Sequence, residues 1–146
     1  MDEAYKLHIA LGPGLLESVY EVILARQLEK RNLIVERQKP VSFEYDGSLF
    51  DEGFRVDLLI DNQVVVELKS IETLAPVHYK QLLTYLKLLH LPVGLLINFG
   101  AATMKEGLHR VVNFSLFTAP REPTLNKSPL TCFLSAPSRL RVAILE

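Results

Sequence analysis

The segment FRVDLLIDNQVVVELKS, residues 54–70, constrains the fold of this chain more than any other. Two apolar runs flank the polar residues around Asn62, a pattern that predicts a buried β-hairpin. Three ionisable residues nevertheless lie within these runs: Asp57, Glu67 and Lys69. Ionised groups inside a core are costly unless they are paired or bind a metal, so we expect the hairpin to carry a functional site.

The length of the hairpin loop decides which of these side chains meet. A two-residue turn would leave Asp57 and Glu67 on opposite faces of the sheet. A three-residue loop, from Asp61 to Gln63, would instead set Asp57 directly opposite Glu67. Two opposed carboxylates repel each other unless a cation lies between them, and Mg²⁺ takes carboxylate ligands. We therefore predict the odd-length loop or an equivalent bulge, with Lys69 on the face of Glu67.

The other segments show helical and extended patterns in alternation. Helical patterns cover residues 3–11, 15–32 and 75–90, and extended patterns cover residues 33–47, 93–100 and 108–114. This order predicts an α/β domain in which a central mixed sheet is flanked by helices. We expect residues 1–114 to form it. We expect residues 115–146, which hold four of the chain's eight prolines, to be an irregular or partly disordered extension whose RLRVAILE segment is able to add an edge strand.

Three motifs accompany the predicted domain. They are Asp57 followed by Glu67-Leu68-Lys69, Gly14-x-x-Glu17-x-x-Tyr20, and Gln81-x-x-x-Tyr85. The first and third resemble signatures of the PD-(D/E)XK nuclease superfamily, although Val56 stands where a proline usually precedes the aspartate. The second resembles the motif that names the GxxExxY family, a branch of that superfamily. The resemblance covers about residues 4–114.

The resemblance implies a restriction-endonuclease-like core that hydrolyses phosphodiester bonds with Mg²⁺ or Mn²⁺. It implies that Asp57, Glu67 and the Leu68 carbonyl hold the ion, with Glu17 as an additional acid acting directly or through water. Lys69 would orient the attacking water or help to deprotonate it. Three further residues would bind the substrate or brace the site: Tyr20, Gln81 and Tyr85.

Each of these residues also has a structural interpretation. Glu17 fits the first turn of a helix, where an acid interacts favourably with the helix dipole. Tyr20 fits a core aromatic whose hydroxyl is hydrogen-bonded. The three hairpin charges fit a buried ion-pair cluster without metal, although such a cluster adds little net stability.

The charge balance favours no particular partner. The net charge of −1 lacks the excess of positive charge that is typical of proteins that bind nucleic acid tightly. DNA or RNA as the partner therefore follows from the resemblance alone. The alternative is a catalytically silent binding or assembly module with the nuclease fold, such as a homodimer formed through an edge strand or the extension. Three observations predict a cytoplasmic protein without membrane contact. The chain has a single cysteine, it shows no visible leader segment, and its apolar runs are shorter than a membrane span.

Overall fold

The computed structural model of the protein describes residues 1–118, with Glu52, Gly53 and Thr118 described by their backbone alone. Its elements in chain order are α1 (Asp2–Leu11), α2 (Glu17–Glu29), β1 (Val35–Tyr45), β2 (Ser48–Ile60), β3 (Val64–Lys69), α3 (Pro76–Leu88), β4 (Val93–Asn98), α4 (Met104–Gly107), β5 (Leu108–Val112) and α5 (Ser115–Thr118). The RLRVAILE segment and the rest of the predicted extension beyond Thr118 lie outside the described residues.

The five strands of this region form one mixed sheet in the order β1-β2-β3-β4-β5. Neighbouring strands are antiparallel except β3 and β4, which are parallel and joined by α3. The predicted α/β architecture, a mixed sheet flanked by helices, is therefore confirmed. It is consistent with a restriction-endonuclease-like fold.

Each face of the sheet is covered by helices. Leu24 and Leu28 of α2 pack with Leu58 and Val66 of the sheet on one face, where α1 also contributes. On the other face, apolar residues of α3 pack against the sheet: Leu82, Tyr85, Leu86 and Leu88. Pro76 begins α3, as predicted, because the first helical position needs no N–H donor.

The hairpin loop has the predicted odd length. Ile60 pairs with Val64, so Asp61 to Gln63 form a three-residue loop. Asp61 and Asn62 have φ angles of 49° and 54°, in the left-handed region that Asp and Asn tolerate. The register of β2 against β3 is therefore the one that brings the charged residues to the same level.

The ladder between β2 and β3 ends at the pair Leu58 and Val66. Residues two apart in a regular strand point to the same face of the sheet. Val56 and Leu58 instead pack into the cores on opposite faces, so the regular alternation of side chains along β2 is interrupted between them. Asp57 lies between them, at the point where β2 and β3 separate. Within residues 1–118, no helix is long and apolar enough to cross a membrane.

Candidate active site

Asp57 is held at the point of strand separation by two hydrogen bonds. Its Oδ2 accepts from the Leu68 backbone N–H at 2.8 Å, and its Oδ1 accepts from Gln38 Nε2 at 3.3 Å. Burial raises the pKa of Asp57, with a further increase from Glu21, while the Leu68 hydrogen bond, Lys69 and Gln38 oppose the rise. The direct cross-strand pairing of Asp57 with Glu67 is not formed, because the two strands separate before that level and Asp57 bonds to Leu68 instead.

Glu67 is an almost fully buried acid, with 2 % of its surface exposed. Its Oε1 accepts from Lys69 Nζ at 2.8 Å, as expected for residues two apart in a strand. Its Oε2 is buried and has no hydrogen-bond partner among the described residues. Burial and then the charge of Asp57 raise the pKa of Glu67 to about 7, against the opposing effect of Lys69.

Lys69 is the cation of this cluster, and its side chain is 15 % exposed. Burial by itself lowers the pKa of Lys69, but the hydrogen bond and charge of Glu67, together with Glu17 and Asp57, outweigh it and raise the pKa. The ammonium therefore stays protonated at neutral pH. Besides the N–H that bonds to Glu67, the ammonium carries two further donors and its positive charge at the level where the two strands separate.

Glu17 begins α2 and lies beside the end of β3. Its Oε1 accepts a hydrogen bond of 3.3 Å from the backbone N–H of Ser70, and its charge acts on both Glu67 and Lys69. Glu17 also lines a cleft of about 600 Å³ with other residues of α2, β2 and β3 and the loops beside them: Gly14, Leu15, Leu16, Ser18, Glu21, Asp57, Leu68 and Ser70. The structure thus brings Glu17 and Asp57, which are 40 positions apart, to one cleft.

Tyr20 lies outside this cleft, in the core beneath it. It is fully buried, and its ring stacks on Phe99 with centroids 4.1 Å apart. Its hydroxyl donates to the Gly12 carbonyl at 2.5 Å and accepts from the Leu15 N–H at 3.3 Å. This is the position of a core aromatic residue whose hydroxyl is hydrogen-bonded, and it supports the Gly12–Leu15 loop at the rim of the cleft. A role of Tyr20 in substrate binding or in bracing the site stays a prediction.

Gln81 and Tyr85 pack as a pair on α3. Gln81 Nε2 donates to the Tyr85 hydroxyl at 2.8 Å, as their spacing of four residues allows. Burial raises the pKa of Tyr85; the Gln81 hydrogen bond opposes this, and the charges of Glu67 and Asp57 add to the rise. The pair therefore lies close to the buried acids, on the α3 side of the sheet.

Two residues of this region were not among the sequence candidates. Glu21 is 5 % exposed and accepts from Arg37 Nε at 2.8 Å and from Gln38 Nε2 at 2.6 Å. A signal for Glu21 was present in the sequence: Glu17 and Glu21 are four apart, and like charges at that spacing destabilise a helix unless a partner is provided. No feature of the sequence distinguished Gln38 as a candidate site residue.

Glu17 and Asp57 line the cleft, whereas Glu67 and Lys69 are not among its lining residues, so the oxygens that a hard divalent cation needs come partly from the cleft wall and partly from the buried cluster next to it. The buried, unpaired Oε2 of Glu67 is the kind of oxygen such an ion binds, and Asp57 lies at the same level of the sheet. Within residues 1–118, no three Asp, Glu, His or Cys side chains gather as a complete ligand group. The carboxylates present therefore fit an ion such as Mg²⁺, which binds one or two carboxylates and retains several water ligands.

A comparison with protein-family models matches the PD-(D/E)XK nuclease superfamily over residues 1–111. Comparisons with curated proteins and with solved structures gave no match. The matched region contains every element from α1 to α4 and most of β5, together with the cleft and its charged residues. By this match, with the mixed sheet and the charged hairpin that it spans, the chain belongs to the PD-(D/E)XK nuclease superfamily.

Proposed function

We propose that this protein is a divalent-metal-dependent nuclease that hydrolyses phosphodiester bonds in DNA or RNA. The observation that carries the proposal is the Oε2 atom of Glu67, a buried carboxylate oxygen without a hydrogen-bond partner among the described residues. A buried polar atom without a partner costs free energy, and a bound cation would remove that cost. The spacing of Gly14, Glu17 and Tyr20 supports placement in the GxxExxY branch as part of this proposal.

Asp57 and Glu67, with the Leu68 carbonyl and with Glu17 directly or through water, are the groups that would hold Mg²⁺ or Mn²⁺. Such an ion polarises a phosphoryl oxygen and lowers the pKa of a water molecule. The protein's part is to fix the carboxylates before binding. Asp57 is fixed by Leu68 and Gln38, and Glu67 is fixed through Oε1 by Lys69.

Lys69 has the role of orienting the attacking water and balancing negative charge. Its raised pKa keeps the side chain protonated at neutral pH, so it acts as a hydrogen-bond donor and a cation rather than as a base. An ammonium next to the scissile phosphate stabilises the charge that develops during hydrolysis. Of the two roles expected for Lys69, orientation is therefore the one we propose.

Gln81 and Tyr85 brace the site from the α3 side. Their mutual hydrogen bond and the T-shaped contact of Tyr85 with Phe54, with ring centroids 5.8 Å apart, hold the phenol in place. Groups of this kind orient the residues that bind an ion and tune their affinity. The nucleic acid would then be contacted mainly at the cleft, where Arg37 lies exposed at the Glu21 side.

Two measurements on the wild type and on Glu67→Gln test the proposal. Isothermal titration with Mn²⁺ measures metal binding, and incubation of the same samples with single- and double-stranded DNA and RNA measures cleavage. Glu44→Gln, at an exposed position near the β1–β2 turn, is the matched control. We expect binding and cleavage in the wild type and the control, and loss of both in Glu67→Gln. Absence of Mn²⁺ binding in the wild type would contradict the nuclease and favour the binding or assembly module.

A further inference from the structure

Glu21 is a buried acid of the cleft whose oxygens are both occupied. Oε1 accepts from Arg37 Nε and Oε2 from Gln38 Nε2, and the Glu21 side chain is 7 % exposed. This distinguishes Glu21 from Glu67, which has a buried oxygen without a partner among the described residues. Glu21 is thus organised to orient other side chains, not to bind an ion.

Gln38 has an unusual backbone conformation for a residue inside a strand. Its φ is 50°, in the left-handed region that disfavours residues other than glycine, asparagine and aspartate. The residues on either side keep the β1–β2 register, Arg37 with Leu58 and Lys39 with Val56, but Gln38 itself makes no pair with Asp57. Such strain persists only where the surroundings enforce it, and it concentrates at functional sites.

The side-chain amide of Gln38 links the two acids. Its nitrogen lies 2.6 Å from Glu21 Oε2 and 3.3 Å from Asp57 Oδ1, and an amide nitrogen carries two N–H groups. The other oxygen of Asp57 is bound by the Leu68 N–H. Together these donors fix the plane of the Asp57 carboxylate, and the direction of the Gln38 amide is in turn set by Glu21.

We propose that Glu21 and Gln38 form a positioning relay, in which Glu21 orients the Gln38 amide and the amide orients Asp57 for a divalent cation. The inference rests on the proposed function, because it concerns the acid that would bind the ion. A purely structural ion pair between Glu21 and Arg37 would join α2 to β1 without any bond to Gln38. It would leave the left-handed conformation of Gln38 without a reason.

The test is the Mn²⁺ affinity of Gln38→Gly, measured by isothermal titration on the full chain. Glycine adopts a positive φ without strain, so this variant keeps the backbone and removes only the side chain with its amide. We expect its affinity to fall about tenfold, the usual size for loss of a group that orients a metal ligand. Asn62→Gly is the matched control, since Asn62 has a φ of 54° in the exposed hairpin loop; we expect unchanged affinity.

A double-mutant cycle separates the relay from two independent effects. Glu21→Gln introduces a donor where an acceptor is needed, so we expect it to lower the Mn²⁺ affinity severalfold in the wild-type background. In the Gln38→Gly background its effect should be clearly smaller, because the part that acts through the missing amide is lost and only the charge of Glu21 on Asp57 remains. Equal losses in both backgrounds, or wild-type affinity in Gln38→Gly, would overturn the relay.

A spectroscopic measurement on the wild type covers the case in which a variant does not fold. The side-chain amide resonance of Gln38 should shift when Mg²⁺ is added and broaden when Mn²⁺ is added, whereas the amide of Gln63 in the hairpin loop should change little. An unchanged Gln38 resonance at saturating Mg²⁺ would overturn the inference while leaving the proposed function standing. Absence of metal binding in the wild type would overturn both.

Discussion

Asp57 and Glu67 are acids of the same hairpin whose oxygens are satisfied to different degrees. Both oxygens of Asp57 accept N–H groups, whereas one oxygen of Glu67 is buried without a partner among the described residues. Burial raises the pKa of both acids, but the hydrogen bonds of Asp57 stabilise its ionised form and oppose that rise, whereas the buried Oε2 of Glu67 has no such bond. Replacing each carboxylate by its amide should consequently have opposite effects on stability.

For Glu67, the effect depends on pH. An acid whose pKa is higher in the folded state binds more protons there, so the free energy of unfolding falls as pH rises from 4.5 to about 7 and then levels off. The full change is about 3 kcal/mol. Glu67→Gln resembles the protonated acid, so without metal it should be more stable than the wild type by ~1–3 kcal/mol near pH 8.5 and nearly equal to it near pH 5. Urea unfolding in chelator measures both differences. An equal difference at the two pH values would contradict the assignment.

Asp57→Asn should lower the stability of the metal-free protein. The amide replaces one of two acceptors by a donor, which then faces either the Leu68 N–H or the Gln38 amide. The expected loss is ~1–3 kcal/mol, the cost of a buried group left without its hydrogen bond. Urea unfolding in chelator at neutral pH measures it. An Asp57→Asn variant more stable than the wild type would mean that repulsion from Glu67 outweighs these bonds.

Ion binding by Glu67 should release a proton below neutral pH. With a pKa of about 7, Glu67 is largely protonated near pH 6, and an ion binds only the carboxylate. Mn²⁺ affinity should therefore rise with pH and level off above about pH 7.5. Titration near pH 6 in two buffers of different ionisation enthalpy gives the number of protons released. A value near zero would exclude Glu67 from the ligands.

At the scale of elements, the end of β3 is held in place by the end of β4. The amide of Asn98 donates to the Ile71 carbonyl at 2.8 Å and accepts from the N–H groups of Ile71 and Gly100, each at 3.1 Å. Gly100 itself lies against the backbone of Ile71, and a Cβ atom there would overlap with it. The segment after Lys69, which includes Ser70 of the cleft, therefore depends on this close approach.

Gly100→Ala should destabilise the protein by ~1–3 kcal/mol, as overpacking typically does, and should weaken Mn²⁺ binding by displacing the end of β3. Gly47→Asn is the control, because a Cβ at Gly47 meets open space and asparagine tolerates its φ of 71°. The control should stay within ~0.5 kcal/mol of the wild type. Urea unfolding and Mn²⁺ titration measure the two effects. A Gly100→Ala variant as stable as Gly47→Asn would contradict the packing argument.

At the scale of the whole molecule, the buried residues of both described cores come from segments that end before residue 114. Asn113, the last buried residue described, donates through its amide to the Leu86 and Leu91 carbonyls, each at 3.3 Å, and so secures the end of α3. The boundary predicted at residue 114 stays a prediction, as does the homodimer. The core nevertheless gives a physical basis for expecting residues 1–118 to fold alone.

A chain ending at Thr118 should therefore keep its melting temperature within about 4 °C of the full protein, which corresponds to less than ~1 kcal/mol. Its Mn²⁺ affinity should remain within about twofold, since the cleft is lined by residues 14–70. Thermal unfolding and isothermal titration of both chains make the comparison. A large loss of stability would assign a structural role to residues 119–146.

Sequence patterns predicted α3, because the spacing of its apolar residues and Pro76 in its first turn determine a helix locally. The three-residue loop from Asp61 to Gln63 was predicted differently, from the charged residues that this register brings to one level. The separation of β2 from β3 at Asp57 and the left-handed Gln38 are tertiary effects, imposed where three elements meet. Glutamine is not a residue that marks a positive φ, so nothing local distinguished Gln38.

The parallel pairing of β3 with β4 also bears on when the cleft exists during synthesis. Ser70 meets Glu17 across 53 positions, and β3 is a central strand only once β4, up to Asn98, has left the ribosome and docked. Contacts of such separation form late, after the loop between them has closed. A growing chain therefore carries Asp57 and Glu67 before β4 has been made, but it lacks the strand that fixes the position of β3 until β4 has docked.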